Sequence, residues 1–259
     1  MWIDSHCHMD SELLCKNSET VISACISEGI DRIIIPSVSK ANFDKIIKIA
    51  GKYKQCVYAL GFHPMYLSDF EDGDLDLLEH YLSNNNAVAV GEIGLDLFVQ
   101  KNNQTLQEDI FQSQLKIAKK FDLPVIMHVR GAIDLVLKNL RKIKVRGGIA
   151  HAFNGSFQQA DQLIELGFKL GFGGVMTYPR SKHIQALAKQ LPIEAIVLET
   201  DSPDMPPEWL GKDENNQPKE LGRIAEFFCN LRGLEPSKTA DIIRVNTIEA
   251  IPKLGELCT

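Results

Sequence analysis

The chain has 259 residues, of which 44% are hydrophobic and 24% charged, with a formal net charge of −6. This composition provides apolar material for a large core, and the acidic balance argues against a broad surface that coats nucleic acid. No stretch approaches the 18 or so consecutive apolar residues of a membrane span, and Asp4, His6 and His8 interrupt any signal-peptide core, so we expect a cytoplasmic protein.

Eight apolar, β-rich segments alternate along the chain with segments whose apolar residues recur at helical spacing. The predicted strands are residues 2–6, 32–37, 56–61, 87–92, 124–128, 147–151, 168–173 and 195–200. Their nearly continuous Val, Ile and Leu content is typical of parallel strands buried on both faces. The alternation predicts one (β/α)8 TIM-barrel domain over residues 1–259, with a doubly wound open sheet as the alternative.

Between and after these strands, helices are predicted at residues 43–53 and 109–121, among others. The polar segment 211–218 is predicted to be a surface loop, and residues 236–254 an extra C-terminal helix that closes the domain. The six cysteines show no C-x-x-C spacing, which indicates reduced and mostly buried thiols.

Residues able to bind metal concentrate where the predicted strands end, which is where a barrel of this class builds its active site. His6 and His8 lie two residues apart, so in an extended segment their imidazoles face the same side. Only His80 and His183 fall in predicted helices, where solvated faces are expected. The residues gathered at the strand ends are His6, His8, His63, Glu92, His128, His151 and Asp201.

Several of these residues also have a structural interpretation. Asp201 is placed to cap a helix before Pro203, and the His63 segment "HP" is compatible with a simple turn. Asp96 is compatible with a loop carboxylate that binds backbone. Glu92 follows an apolar run, and a buried carboxylate requires a metal or an arginine to compensate its charge.

Four imidazoles and two carboxylates are too many ligands for one tetrahedral zinc, and they suit a site for about two divalent ions bridged by a carboxylate. Such a site lowers the pKa of a shared water so that hydroxide attacks a phosphoryl or acyl centre. Nitrogen and oxygen ligands without thiolate favour Zn, Mn, Fe or Co, with Mg possible near the carboxylates.

The sequence resembles the TatD-like metal-dependent hydrolases, a deoxyribonuclease family of the amidohydrolase superfamily, and within it the YjjV-type branch. The segments that carry the resemblance are "DSHCHMD" (4–10), "GFHP" (61–64), "GEIGLD" (91–96), "MHVR" (127–130), "HAFNGS" (151–156) and "ETDSP" (199–203). The resemblance implies a TIM barrel, metal ligands at His6, His8, Glu92, His128, His151 and Asp201, and 3′→5′ exonucleolytic cleavage of DNA. Many members have "GLDYY" where this chain has "GLDLF", and an Arg-Asn-Glu-Pro-like segment in place of "ENNQP".

On this basis His6, His8 and Asp201 are expected to hold one ion and His128 and His151 the other, with Glu92 as the bridge. Asp201 also serves as the candidate general base. His63 and Arg130 are the candidates for binding phosphate, with Arg180 as a further candidate, because the guanidinium fork matches phosphate oxygens. Arg130 has an alternative as the ion-pair partner of a nearby carboxylate.

The sequence therefore predicts a metal-dependent phosphodiesterase acting on DNA ends, with no membrane association and no obligate protein partner. A hydrolase of small esters, lactones, amides or phosphate monoesters is the enzymatic alternative, because the same site serves those bonds and the pI is acidic. A non-catalytic metal-binding protein is a further alternative, although a scaffold has no need of six converging polar groups.

Overall fold

Eight parallel strands, each paired with the next in chain order, surround the centre of the molecule. The computed structural model describes residues 1–98, 103–211 and 214–257. The strands are β1 Trp2–Asp4, β2 Ile30–Pro36, β3 Cys56–Leu60, β4 Ala89–Asp96, β5 Val125–Arg130, β6 Gly148–Ala150, β7 Phe168–Phe172 and β8 Ile196–Leu198. Just after β1, the N–H of Ser5 donates to the carbonyl of Leu198 at 3.1 Å. This bond joins the first strand to the last, and the predicted (β/α)8 barrel is confirmed.

Helices follow the strands and pack around the outside of the barrel. They are α1 Glu12–Cys15, α2 Ser18–Ser27, α3 Phe43–Lys52, α4 Asp74–Asn84, α5 Gln104–Lys120, α6 Ile133–Lys142, α7 Phe157–Glu165, α8 Lys182–Gln190, α9 Leu221–Arg232, α10 Pro236–Ala250 and α11 Lys253–Leu257. No helix in the described ranges is long and apolar enough to span a bilayer. The five cysteines among the described residues are free thiols, as predicted.

Two apolar clusters explain why the strands are hydrophobic on both faces. Ile33 and Ile35 of β2 belong to the large cluster between sheet and helices, whereas Ile34 belongs to a smaller cluster inside the barrel. This follows from the two-residue alternation of side chains along a strand. The inner cluster contains Ile3, Ile34, Val57, Ala59, Val88, Ala89, Ile126, Ile149 and Val197.

The end of the barrel where the strands begin is closed by the C-terminal segment. Ala250, Ile251 and Leu254 join the inner cluster. The side-chain amide of Asn246 donates to the carbonyls of Ile193 and Ile196 at 2.7 and 2.8 Å, which ties α10 to the start of β8. The predicted single helix over 236–254 is wrong at its end, because the residue before Pro252 is driven out of the helical conformation and α11 starts afresh.

Strand boundaries differ from the predictions at three positions that matter for the site. Strand β1 ends at Asp4, so His6 and His8 lie in the segment beyond it. Glu92 lies inside β4, which continues to Asp96, and His128 lies two residues before the end of β5. The reason is that β4 and β5 remain paired as far as Asp96 and Arg130, past the point where their apolar runs stop.

The predicted surface loop 211–218 is only partly exposed, and residues 212–213 lie outside the described residues. Asn216 is buried, and its amide donates to the carbonyls of Thr200 and Asp204 at 2.8 and 2.6 Å. This segment therefore supports the turn that follows β8, which carries Asp201.

Truncating Ile251 tests the closing role of the C-terminal segment. Ile251 is fully buried, so Ile251→Ala should lower the free energy of unfolding by about 2–5 kcal/mol through the cavity it leaves. Urea unfolding measures this change, with Val245→Ala, a truncation of a side chain 52% exposed on α10, as the matched control. Equal stability of the two variants would contradict the role assigned to Ile251.

Candidate metal centre

The carboxylate of Glu92 lies at the centre of the histidines that the sequence gathered. Glu92 is 1% exposed, and all five strand-end histidines place a ring nitrogen within 3.7 Å of one of its oxygens. The distances from Oε1 are 2.9 Å to His151 Nε2, 3.2 Å to His128 Nδ1 and 3.3 Å to His63 Nε2. Those from Oε2 are 3.2 Å to His6 Nε2 and 3.7 Å to His8 Nε2.

A second carboxylate completes a triangle with the first two histidines. The Nε2 atoms of His6 and His8 are 3.4 Å apart, and Asp201 Oδ1 lies 3.6 and 3.5 Å from them. The N–H of Asp201 donates to the carbonyl of His6 at 2.9 Å. Asp201 has a left-handed φ of 52°, an uncommon conformation for a residue with a side chain, and this bond helps to hold it.

The spacing of these atoms fits metal ions. Two nitrogens bound to one zinc at about 2.0–2.1 Å with a tetrahedral angle lie about 3.4 Å apart. The His6–His8 and His128–His151 nitrogen pairs are 3.4 and 3.3 Å apart. Glu92 Oε1 is buried and forms no hydrogen bond of good geometry, although imidazole nitrogens lie around it, so it remains an acceptor for an ion. The donor set therefore fits divalent cations.

Burial keeps two of these imidazoles, His6 and His63, in the neutral form that binds metal. Desolvation lowers the pKa of His6 to about 3 and also lowers the pKa of His63. Desolvation acts in the same direction on His128, but its close contacts with the carboxylates of Asp96 and Glu92 outweigh it and raise the pKa of His128 to about 9. Although burial opposes ionisation, the surrounding histidines hold the pKa of Glu92 well below its usual range.

The ring hydrogen of His63 lies on the nitrogen that faces the centre of the site. Its Nδ1 accepts the backbone N–H of Met65 at 3.1 Å, so the neutral ring carries its hydrogen on Nε2, which faces Glu92. A ring nitrogen that carries hydrogen donates rather than ligates. His63 is therefore suited to donate a hydrogen bond to Glu92 or to a bound substrate. By distance alone, His63, Glu92 and His128 also form a third cluster that could hold a metal ion.

Asp96, which the sequence left as a loop carboxylate, is fully buried and contacts His128. Its Oδ2 lies 3.2 Å from His128 Nε2, on the side of the ring opposite Glu92, and its Oδ1 accepts the N–H of Phe98 at 3.0 Å. The side chain of Gln107 on α5 bonds both the N–H and the carbonyl of Asp96. Asp96 thereby fixes the ring so that Nδ1 points to the centre.

Glu199 is a second buried carboxylate that sequence reasoning missed. Its Oε1 accepts the N–H of Ala152 at 2.6 Å and lies 3.8 Å from Nδ1 of His151. Burial raises the pKa of Glu199 to about 8. The space for this carboxyl group depends on Gly171, because a Cβ there would lie 2.3 Å from Glu199 Oε2. The signal in the sequence was an acid at the end of the apolar run before Asp201.

The centre opens into a cleft of about 1160 Å³ at the end of the barrel where the strands finish. The carboxylates that line it are Asp10, Glu92, Asp134, Asp201 and Asp204. Arg130 is the one lysine or arginine among the described lining residues, and its guanidinium lies 4.2 Å from the ring centroid of Phe98. No carboxylate in the described ranges forms an ion pair with it, so the predicted ion-pair alternative is not borne out.

The remaining predicted residues lie elsewhere. Arg180 is exposed beside Tyr178 and does not line the cleft, so the structure does not bring it to the site. His80 and His183 lie on exposed faces of α4 and α8, as predicted. The structure thus brings together His6, His8, His63, Glu92, His128, His151 and Asp201, with Arg130 on the same cleft.

Comparisons with known proteins place the chain among metal-dependent hydrolases. A family model described as TatD related DNase matches residues 3–252. The metal-dependent hydrolase YjjV of Escherichia coli K12, itself described as uncharacterized, is 36% identical over 249 residues, covering 95% of this chain and 96% of its own. The crystal structure of that YjjV superposes with a TM-score of 0.93 at 35% identity over 97% and 98% of the two chains. A TatD family hydrolase from Entamoeba histolytica, 21% identical over 96% and 97% of the chains, shares the fold with a TM-score of 0.86.

Replacing Asp96 tests its control of the His128 ring. Asp96→Asn removes the charge and leaves one carbonyl oxygen where two oxygens now accept, so we expect metal affinity to fall about 10–100-fold. Competition against a fluorescent chelator measures the affinity. Asp134→Asn is the control, since Asp134 also lines the cleft but bonds Gln159 instead of a histidine. Unchanged affinity in Asp96→Asn would show that the contact does not matter for metal binding.

Proposed function

The chain belongs to the TatD family and is a metal-dependent hydrolase, and from this premise we propose that it is a deoxyribonuclease that cleaves phosphodiester bonds at DNA ends in the 3′→5′ direction. The observation that carries the proposal is a cluster of imidazoles and carboxylates fit for divalent ions, with Arg130 lining the same cleft.

About two ions, of Zn, Mn or Mg, would be held by the residues around Glu92. His6, His8 and Asp201 would hold one ion, and His128 and His151 the other, with Glu92 bridging through its two oxygens. The triangle of the first group and the imidazole pair of the second support this division. When bound, the ions supply an activated water and Lewis acidity toward the substrate oxygen.

Asp201 is the proposed proton acceptor of the reaction. Burial raises the pKa of its carboxyl group well above the usual value, which is the direction that strengthens a carboxylate as a base. The second proposed catalytic group is His63, whose Nε2 hydrogen faces the centre and is available to a substrate oxygen. Glu92 completes the set as the carboxylate that holds both halves of the site together.

Arg130 is the proposed phosphate ligand. It lies two residues beyond His128 on β5, so its side chain projects to the same side of the strand as the imidazole. With no carboxylate partner among the described residues, its guanidinium retains N–H donors for the planar, bidentate contact that phosphate oxygens offer. Arg180 is exposed and lies outside the cleft, so the structure gives no support for its predicted role in binding phosphate.

Hydrolysis of a small ester, amide or phosphate remains the second candidate, and one observation favours it. The cleft presents five carboxylates and, within the described ranges, a single arginine, so its rim does not attract a long polyanion. A compact substrate would contact only the metal centre and would avoid the carboxylates at the rim of the cleft. The two candidates differ in whether Arg130 must engage a phosphate.

Glu92→Gln tests the bridge. The amide has no charge and one acceptor oxygen in place of two, so the purified variant should lose at least one of about two bound ions and most of its turnover. Elemental analysis gives the metal content, and a melting curve on the same sample shows whether the protein is folded. A folded variant that keeps both ions would contradict the assignment of Glu92.

Arg130→Lys tests the phosphate contact and the substrate together. Metal-loaded protein should release nucleotides from the 3′ end of single-stranded DNA, and Arg130→Lys should cost about 10-fold or more in kcat/KM because a point charge does not reproduce the bidentate fork. Metal content should be unchanged. Wild-type protein that hydrolyses small carboxylic esters but no DNA end would favour the second candidate.

A further inference from the structure

The exposed aromatic side chains of the protein lie at the end of the barrel that carries the metal centre. Within the described ranges, the large aromatic residues with exposed side chains are Tyr66, Phe98 and Phe157. They follow β3, β4 and β6, respectively, at the ends where those strands finish. Exposed aromatic rings are costly in water, and their collection on one functional face indicates that they contact something there.

Phe98 is the most exposed of the three, at 65%, and backbone hydrogen bonds hold residues 97 and 98 in place. Its N–H donates to Asp96 Oδ1 at 3.0 Å, and the N–H of Leu97 donates to the carbonyl of Arg130 at 2.9 Å. The turn is therefore anchored to the same buried carboxylate that contacts His128. An exposed ring on an anchored turn is arranged in advance for a ligand.

The guanidinium of Arg130 lies over the Phe98 ring, with 4.2 Å between Cζ and the ring centroid. This contact is a cation–π pair, and it orients Arg130 where it lines the cleft. A guanidinium plane and a phenyl ring both stack on the faces of nucleobases. Tyr66, which is 51% exposed, lines the same cleft beside His63 and adds a second aromatic surface.

We propose that Phe98 and Arg130 form a subsite for the nucleobase next to the phosphate, so that the preferred ligand is a nucleotide rather than a bare sugar phosphate. This inference rests on the proposed function, which it deepens by naming the part of the substrate that is recognised. The base stacks on the Phe98–Arg130 pair, while the guanidinium edge remains free for phosphate oxygens. Phe98 acts as a specificity residue and takes no part in the chemical step.

Binding of two phosphates that differ only in the base tests the subsite. Calorimetric titration of metal-loaded protein compares thymidine 5′-monophosphate with 2-deoxyribose 5-phosphate. We expect the nucleotide to bind roughly 10-fold or more tightly, the size of one base–aromatic stacking contact. Phe98→Ala and Phe98→Leu should abolish the preference, and Phe98→Trp should retain it. Phe157→Ala removes an exposed ring at the start of α7 and should leave the preference unchanged.

The outcomes separate this inference from the proposed function. Equal binding of the two phosphates by the wild-type protein, no binding of either, or a preference that survives in Phe98→Ala would overturn the subsite. Cleavage of 3′ DNA ends is measured separately on the same preparation. A base preference that depends on Phe98, without DNA cleavage, would keep the subsite and overturn the deoxyribonuclease proposal in favour of a nucleotide-like small substrate.

Discussion

The burial of the Glu92 carboxylate is the constraint on which the rest of the site depends. An ionised carboxylate removed from water is costly unless it is paired, and the groups that surround this one are imidazole rings. One oxygen has no hydrogen-bond partner, while imidazole nitrogens surround it. Divalent cations among these nitrogens would supply further positive charge to the buried carboxylate. The carboxylate of Asp96 serves the same end, because it holds the hydrogen of His128 on the far side of the ring.

The barrel separates the requirements of stability from those of the site. Its inner cluster is apolar, and Ile251 and Leu254 seal it where the strands begin. Where the strands finish, the polar residues converge instead, and backbone contacts such as Asp201 N–H to the His6 carbonyl hold the closing turns in place. A stable core can therefore carry a strained residue such as Asp201 and a costly one such as Glu92. The free energy that these residues require is supplied by packing elsewhere in the molecule.

The sequence predicted the barrel and the gathering of the histidines, because strand periodicity and the position of strand ends are local patterns. The sequence could not predict which ring nitrogen of His63 carries the hydrogen, because this depends on the backbone N–H of Met65 in a turn. Asp96 was misjudged for a similar reason: its partner His128 lies on the neighbouring strand, and only the pairing of β4 with β5 brings them together. Glu199 was overlooked although it is an acid at the end of an apolar run, because the sequence does not show that Gly171 on the neighbouring strand leaves room for its carboxyl group beside His151.

The charge of the cleft constrains how a substrate can be recruited. Its carboxylates outnumber Arg130, the chain is acidic overall, and long-range attraction of a polyanion is therefore weak. Two bound divalent ions, as proposed, would reverse the sign locally, because together they carry more positive charge than the negative charge of Glu92 and Asp201. Attraction for phosphate is then confined to the centre and to Arg130, within a few ångströms of the reacting bond. On the proposed function, such a site favours contact with one terminal unit over contact along many phosphates, and the proposed subsite at Phe98 would give that unit a surface for its base.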